Sequence, residues 1–211
     1  MVAIIAGLLS AGCSVFGIRN EQTPSYSVER TVGPTDYRVE VRQYGPRLVA
    51  ETTVAGSEFE ARSKGFRTLA GYIFGGNSAS QSIAMTAPVA QSKARSGQTI
   101  DMTAPVGQSR GADGRWTIRF FMPDKYTIDT IPKPNDPAVQ LRTVPAQIIA
   151  VHRYSGSTSA ASVHEEEQRL MAVAAQAGLQ TESEPFTWFY DPPWTLPPLR
   201  RNEAAVLVQP G

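Results

Sequence analysis

Two histidines, one cysteine and a scatter of aromatic side chains are the groups in this sequence with the most chemistry to offer. His164 opens the run His164-Glu165-Glu166-Glu167-Gln168, close to a helical zinc-protease motif. Gln168 stands where the metal needs its second imidazole, so the run reads as a wet helix start and not as a zinc site. His152 lies between Val151 and Arg153 in a strand-like stretch. It is a weak candidate metal ligand, set against the plainer reading of a packed or solvated strand residue. No Gly-x-Ser-x-Gly elbow and no Gly-rich phosphate loop occurs, and no serine or threonine stands beside a histidine in a recognisable motif. No catalytic residues are therefore assigned. A hydrolase remains the minor alternative, because carboxylate pairs made over long range do not show in a sequence.

Binding has better candidates. Phe59, Phe66, Ala70 and Phe74 recur at seven and four residues, the spacing of one helix face. Leu69, Tyr72 and Ile73 fall on another flank. Such a helix can serve a core with one side and a groove with the other, and the small Ala70 leaves room for a flat ring. The segment Tyr190 to Arg201 is the second candidate, with Tyr190, Trp194, four prolines and the arginines Arg200 and Arg201. Prolines stiffen it, so Trp194 is held ready to stack, and an arginine can pair with a ligand carboxylate. The plainer reading is that Arg201, Asn202 and Glu203 pin this loop to the domain.

Cys13 has no partner for an intrachain disulfide. It follows the apolar run Ala3 to Leu9 and the phrase Leu9-Ser10-Ala11-Gly12, which looks like the end of a lipoprotein signal. No lysine or arginine precedes the run, and Ser10 stands where that motif prefers leucine. The run is too short to span a bilayer. The expectation is a lipid attached at Cys13, with the domain held in the cell envelope or periplasm and touching the membrane only through that anchor.

These groups need elements to position them. Residues 1–13 form the signal-like segment, and 14–35 read as a flexible linker with Pro24, Gly33 and Pro34. The domain occupies 36–211. Tyr37, Val39 and Val41 alternate with charged residues, and Leu48, Ala50, Thr52 and Val54 follow a Gly45-Pro46 turn, so a hairpin is expected. A helix capped by Ser57 runs to Phe74 and stops at Gly75-Gly76-Asn77. Two similar phrases, Ile83 to Val89 and Ile100 to Val106, suggest neighbouring strands. Further strands are expected at 116–122, 139–142, 147–154, 186–190 and 204–208, and a second helix at 159–177. The order strands, helix, strands then occurs twice, which suggests a repeated half and an antiparallel sheet with two helices on it.

Composition narrows the classes. Hydrophobic residues make up 41% of 211 positions, charged residues 18%, and the net charge is +1. This is a chain with a sizeable core and no broad basic field for nucleic acid.

Several phrases resemble the SOUL family of haem-binding proteins. They are Tyr37 to Pro46, the two Met-Thr-Ala-Pro-Val segments, Phe121-Met122-Pro123, Tyr190-Asp191-Pro192-Pro193-Trp194-Thr195 and Arg200-Arg201-Asn202-Glu203. The resemblance spans about residues 25 to 208. It implies an α+β fold: a distorted eight-stranded antiparallel β-barrel flanked by two helices, with an internal pseudo-two-fold repeat. It also implies non-covalent binding of haem or another porphyrin in a groove beside the first helix. The ligand-binding set is then Phe59, Phe66, Ala70, Phe74, Tyr190, Trp194, Arg200 and Glu203. Where some members carry a histidine proposed as axial ligand, this chain has Gln43; two lysine positions match Gly71 and Thr195. The same architecture serves bacterial effector-binding domains for bulky drugs. The alternative is therefore a binder of other bulky apolar or cationic molecules, with Glu203 receiving the cation.

Overall fold

The computed structural model describes residues 22–93, 115–191 and 194–210. Cys13 and the second phrase, 100–106, lie outside the described residues. The strands are β1 (Tyr26–Val32), β2 (Val39–Tyr44), β3 (Arg47–Ala55), β4 (Val89–Lys93), β5 (Arg115–Phe121), β6 (Gln140–Val144), β7 (Gln147–Tyr154), β8 (Phe186–Phe189) and β9 (Asn202–Leu207). The helices are α1 (Glu58–Ile73), between β3 and β4, and α2 (Ala160–Gln176), between β7 and β8. All nine strands form one antiparallel sheet in the order β1-β2-β7-β9-β8-β4-β5-β3-β6.

The order carries the expected two-fold repeat. Exchanging β2 with β6, β3 with β7, β4 with β8 and β5 with β9 reproduces the same sequence of neighbours read backwards. The register agrees residue by residue. Val49 pairs with Phe121 and Arg142, and Ile149 pairs with Leu207 and Arg42. Seven of the eight strands of the repeat are those expected, and β4 begins only where the expected strand Ile83–Val89 ends. The ninth, β1, comes from the stretch 14–35 read as a linker. It is an edge strand, almost wholly exposed and held by backbone pairing to β2; its alternation of Tyr26, Val28 and Val32 with polar residues is short and flanked by Pro24, Gly33 and Pro34, which read as a linker.

The predicted hairpin is also corrected. β2 and β3 are joined by Gly45-Pro46 yet stand six places apart in the sheet. In a flat sheet six steps would separate them by roughly 29 Å. Three residues reach only about 10 Å. The sheet must therefore curl until its two ends meet. β6 and β7, joined by Pro145-Ala146, impose the same closure. The turn chemistry was read correctly and its pairing was not, because each strand takes its partners from elsewhere in the chain.

The phrase Ile83 to Val89 is not a strand before Val89. Its amides go to scattered acceptors: Ile83 N–H donates to Ile73 O and Ala87 N–H to Gln22 O. Pro88 has none to give. From Val89 to Gln91, β4 is flanked by β5 and β8, so both edges are filled by strands other than the second phrase.

Both helices cover one face of the sheet. α1 buries Ala61, Gly65, Leu69, Tyr72 and Ile73 against Ala50, Ile118 and Phe120. α2 buries Val163, Leu170, Val173 and Ala174, the last three in a cluster with Val39, Val41, Ala150, Ala204 and Val206. The opposite, inner face holds a third cluster with Tyr44, Val49, Phe121, Ile149, Val151, Trp188 and Ala205.

Candidate functional site

α1 starts on a full capping box: Ser57 Oγ accepts from Glu60 N–H, and the Glu60 carboxylate accepts from Ser57 N–H at 3.1 Å. It ends at Phe74, whose N–H donates to Ala70 O, before Gly75 at φ +114. With both ends fixed, the sequence stripe points outward. Phe59 is 66% exposed, Phe66 36% and Phe74 65%, with Ala70 half-buried among them. At 100° per residue these four fall within about 80° of the helix circumference. Among the described residues only Phe66 of the three phenylalanines gains an aromatic ring partner, Phe120 at 5.2 Å, edge to face.

Arg62, on the same helix, is a residue the sequence reading missed. Its guanidinium lies over the rings of Phe189 at 4.4 Å and Phe59 at 5.8 Å, and donates to Thr158 O at 3.0 Å. Burial lowers its pKa and the charge of Arg200 lowers it further, against Glu58 and Tyr154. It ties α1 to β8 and the loop after β7. The Phe59–Arg62 spacing of three was the available signal.

The loop from 194 to 201 packs against that same loop after β7. Pro197–Leu199 form a 3-10 turn, and Pro197 O accepts from Gly156 N–H at 2.9 Å. Arg200 does not reach outward with its Nε, which donates to Thr195 O at 2.8 Å. Trp194 is 61% exposed, and Leu196 and Leu199 are exposed beside it in sequence. Thus Phe59, Phe66, Ala70 and Phe74 share one surface, while Trp194 and Arg200 stand on the loop.

Tyr190 and Glu203 belong elsewhere. Both are buried on the inner face of the sheet, Glu203 completely. The Glu203 carboxylate accepts from Arg42 at 2.9 and 3.2 Å, from Arg201 at 2.7 and 3.1 Å, and from the Tyr190 hydroxyl at 2.7 Å. Burial pushes the Tyr190 hydroxyl well above its usual pKa, and the charge of Glu203 adds to it. Burial opposes the Arg42 cation, but Glu203 outweighs this and holds its pKa high. The expectation that Glu203 receives a cationic ligand is corrected: two of the chain's own guanidiniums already fill that role. The pinning reading of Arg201, Asn202 and Glu203 is the one the geometry matches, with Arg201 N–H also donating to Asp191 Oδ2 at 2.6 Å.

Against known proteins, the model of the SOUL heme-binding protein family matches residues 21–207. The chain belongs to the SOUL family. The human protein named Heme-binding protein 2 is 27% identical over 190 residues, covering 89% of this chain and 86% of that one. The C-terminal domain of EcmrR superposes with a TM-score of 0.60 at 11% identity, covering 83% of this chain and 99% of that domain. A protein from Listeria innocua described as a hydrolase superposes at 0.55, with 13% identity and 81% and 91% coverage. These two structures share the fold of this SOUL chain.

The described residues suit the ring of a haem better than its iron. The outward rings of α1 offer flat apolar contact. Gln43 is exposed on β2. His152 is packed on the α2 side: its ring stacks on Tyr37 at 3.5 Å, its Nδ1 is 2.8 Å from Arg38 O, and burial lowers its pKa. His164 is exposed on α2, with its Nε2 2.8 Å from the Gln168 amide nitrogen. Neither histidine stands on α1 or on the loop after β8. Among the described residues no group of three or more His, Cys, Asp or Glu side chains is placed to hold a metal ion.

Proposed function

We propose that this protein binds haem or a related tetrapyrrole non-covalently, with the ring laid on the outward aromatic face of α1 and Trp194 contributing from the loop. The observation that carries this reading is the exposure of Phe59, Phe66 and Phe74 on a helix whose other side is core. Grouped exposed aromatics mark a surface that is covered in use. Membership of the SOUL family, and the name of the human relative, support the ligand class. Binding without chemistry is the reading that family supports, and apolar contact rather than iron ligation is its basis.

The test is titration of the purified protein with haem and with metal-free protoporphyrin, followed by porphyrin absorbance and tryptophan quenching. Comparable saturable binding of both, weakened about tenfold by Phe59→Ala or Trp194→Ala, is expected. Saturation by haem alone overturns the apolar basis. Saturation by neither overturns the function.

Cys13 is proposed as the lipid attachment point that holds this domain at the cell envelope. Mass measurement of the mature protein from its native host should show cleavage before Cys13 and an acyl adduct. An unmodified Met1 terminus sinks this reading.

A further inference from the structure

A cavity of about 230 Å³ opens on the inner face of the sheet, lined by Tyr26, Arg38, Glu40, Arg42, Val151, Arg153 and Arg201. Four guanidiniums meet there, against Glu40 on the wall and Glu203 beneath. The floor is rigid. Arg42 has a side-chain exposure of 3% and is held by Glu40 at 2.7 Å and Glu203 at 2.9 Å. Arg201 is held by Glu203 at 2.7 Å. The Tyr26 ring stands 4.3 Å from the Arg42 guanidinium and is supplied by β1, the strand added outside the eight-strand repeat.

Arg38 and Arg153 behave differently. Both are exposed, and among the described residues neither makes an ion pair. They flank the paired residues Val39 and His152, so they face each other across β2 and β7. Like charges directly opposite are unfavourable in a sheet.

The two-fold repeat supplies an internal control. In the first half, Arg119 and Arg142 grip Glu51 at 2.6 and 2.5 Å, one acid between two arginines. In the second half Arg42, the equivalent of Arg142, pairs instead with Glu203, whose own equivalent in the first half is Thr117. Following the register, the positions equivalent to Arg38 and Arg153 are Ala138 and Thr53. The first half thus builds the same strands with uncharged residues at both of these places, so the fold itself does not require Arg38 and Arg153.

We infer that this cavity is a binding site for a small organic dianion, a phosphomonoester or a dicarboxylate. Arg38 and Arg153 pair with its oxygens, Arg42 and Arg201 form a fixed positive floor, and Tyr26 packs on its organic part. Guanidinium forks match both oxyanions, and the four cations exceed the two carboxylates by two charges. The site lies on the face of the sheet opposite α1, so it does not depend on the tetrapyrrole reading.

Calorimetric titration of the full chain with phenyl phosphate, phthalate and the neutral control phenol tests it, with Arg38→Gln, Arg153→Gln and the double variant. Both rim residues are exposed, so these changes leave the core intact. Saturable binding of at least one dianion and not of phenol is expected. Each single variant weakens it about tenfold, the worth of one charge-assisted hydrogen bond, and the double variant abolishes it. Haem titration of the double variant is unchanged. Preference between the two dianions names the headgroup. Absence of saturation by either at millimolar concentration, or equal binding by the double variant, overturns the site.

Discussion

Arg47 and Gln147 occupy equivalent positions at the start of β3 and β7 in the two halves of the repeat, and they bond to each other: Arg47 donates to Gln147 Oε1 at 2.5 Å. The contact marks where the curled sheet brings its ends together. Arg47 is otherwise poorly served. Its guanidinium lies over Tyr44 at 4.5 Å and Phe121 at 5.4 Å, its Nε and Nη1 are buried without a partner, and burial lowers its pKa to about 10.

A buried cation without a carboxylate is a cost that an apolar side chain of similar length removes. Arg47→Met keeps the packing over Tyr44 and Phe121 and loses one hydrogen bond. Thermal and urea unfolding should show a gain of about 1 kcal/mol. A loss of similar size would show that water or a ligand serves those nitrogens.

Glu203 behaves in the opposite way. Glu203→Gln leaves Arg201 without its carboxylate and Arg42 with only the more exposed Glu40, and should cost about 3–5 kcal/mol in urea unfolding. Tyr190→Phe removes one charge-assisted hydrogen bond and should cost about 1.5–3 kcal/mol. If Glu203→Gln proves the milder of the two, the cluster does not hold the fold.

Tyrosine ionisation sets the alkaline limit. Burial raises Tyr44 and Tyr72 to about 12, from an unfolded value near 10. Burial first, then Glu166, also raises Tyr37 and Tyr154, so the folded state keeps phenolic protons that the unfolded chain gives up. Their stabilisation is complete below pH 10 and is lost as pH rises from there through about 12. Unfolding and the phenolate absorbance should therefore rise together in that window. Phenolate signal from these groups below pH 10 in folded protein would contradict their burial.

Gly65 lets α1 lie flat on β5: a Cβ there would collide with the Ile118 side chain. Gly65→Ala should cost about 1–3 kcal/mol, in spite of the better helix propensity of alanine. Gly71→Ala, where a Cβ meets nothing within 4 Å, is the control and should stabilise.

Local periodicity carried most of the fold. Leu69, Tyr72 and Ile73 showed the buried side of α1, and Val163, Leu170 and Val173 that of α2, because helical spacing records which side is covered. The outward stripe Phe59–Phe66–Phe74 was legible for the same reason. What failed was anything decided at a distance. β1 alternates Tyr26, Val28 and Val32 with polar residues, but it is an exposed edge whose place is set by pairing to β2 and not by a core. Gly45-Pro46 reads as a hairpin although Tyr44 pairs with Tyr26 and Gln147. Arg42 looks like any outward strand residue until Glu203, 161 positions later, folds beneath it. Glu203 itself was picked out, but its occupants were not, since an acid shows its charge and not its partners.

The exchange of neighbours between halves has a kinetic consequence. β2 finds β7, and β3 closes against β6, only when segments about a hundred positions apart in the chain meet. Loop-closure entropy is spent before those ladders return anything. Helix α1 with β3 and β5 can form early, but the barrel seam forms last. This protein should refold on the millisecond-to-second scale of high-contact-order domains, with the seam at Arg47 and Gln147 the part that opens first.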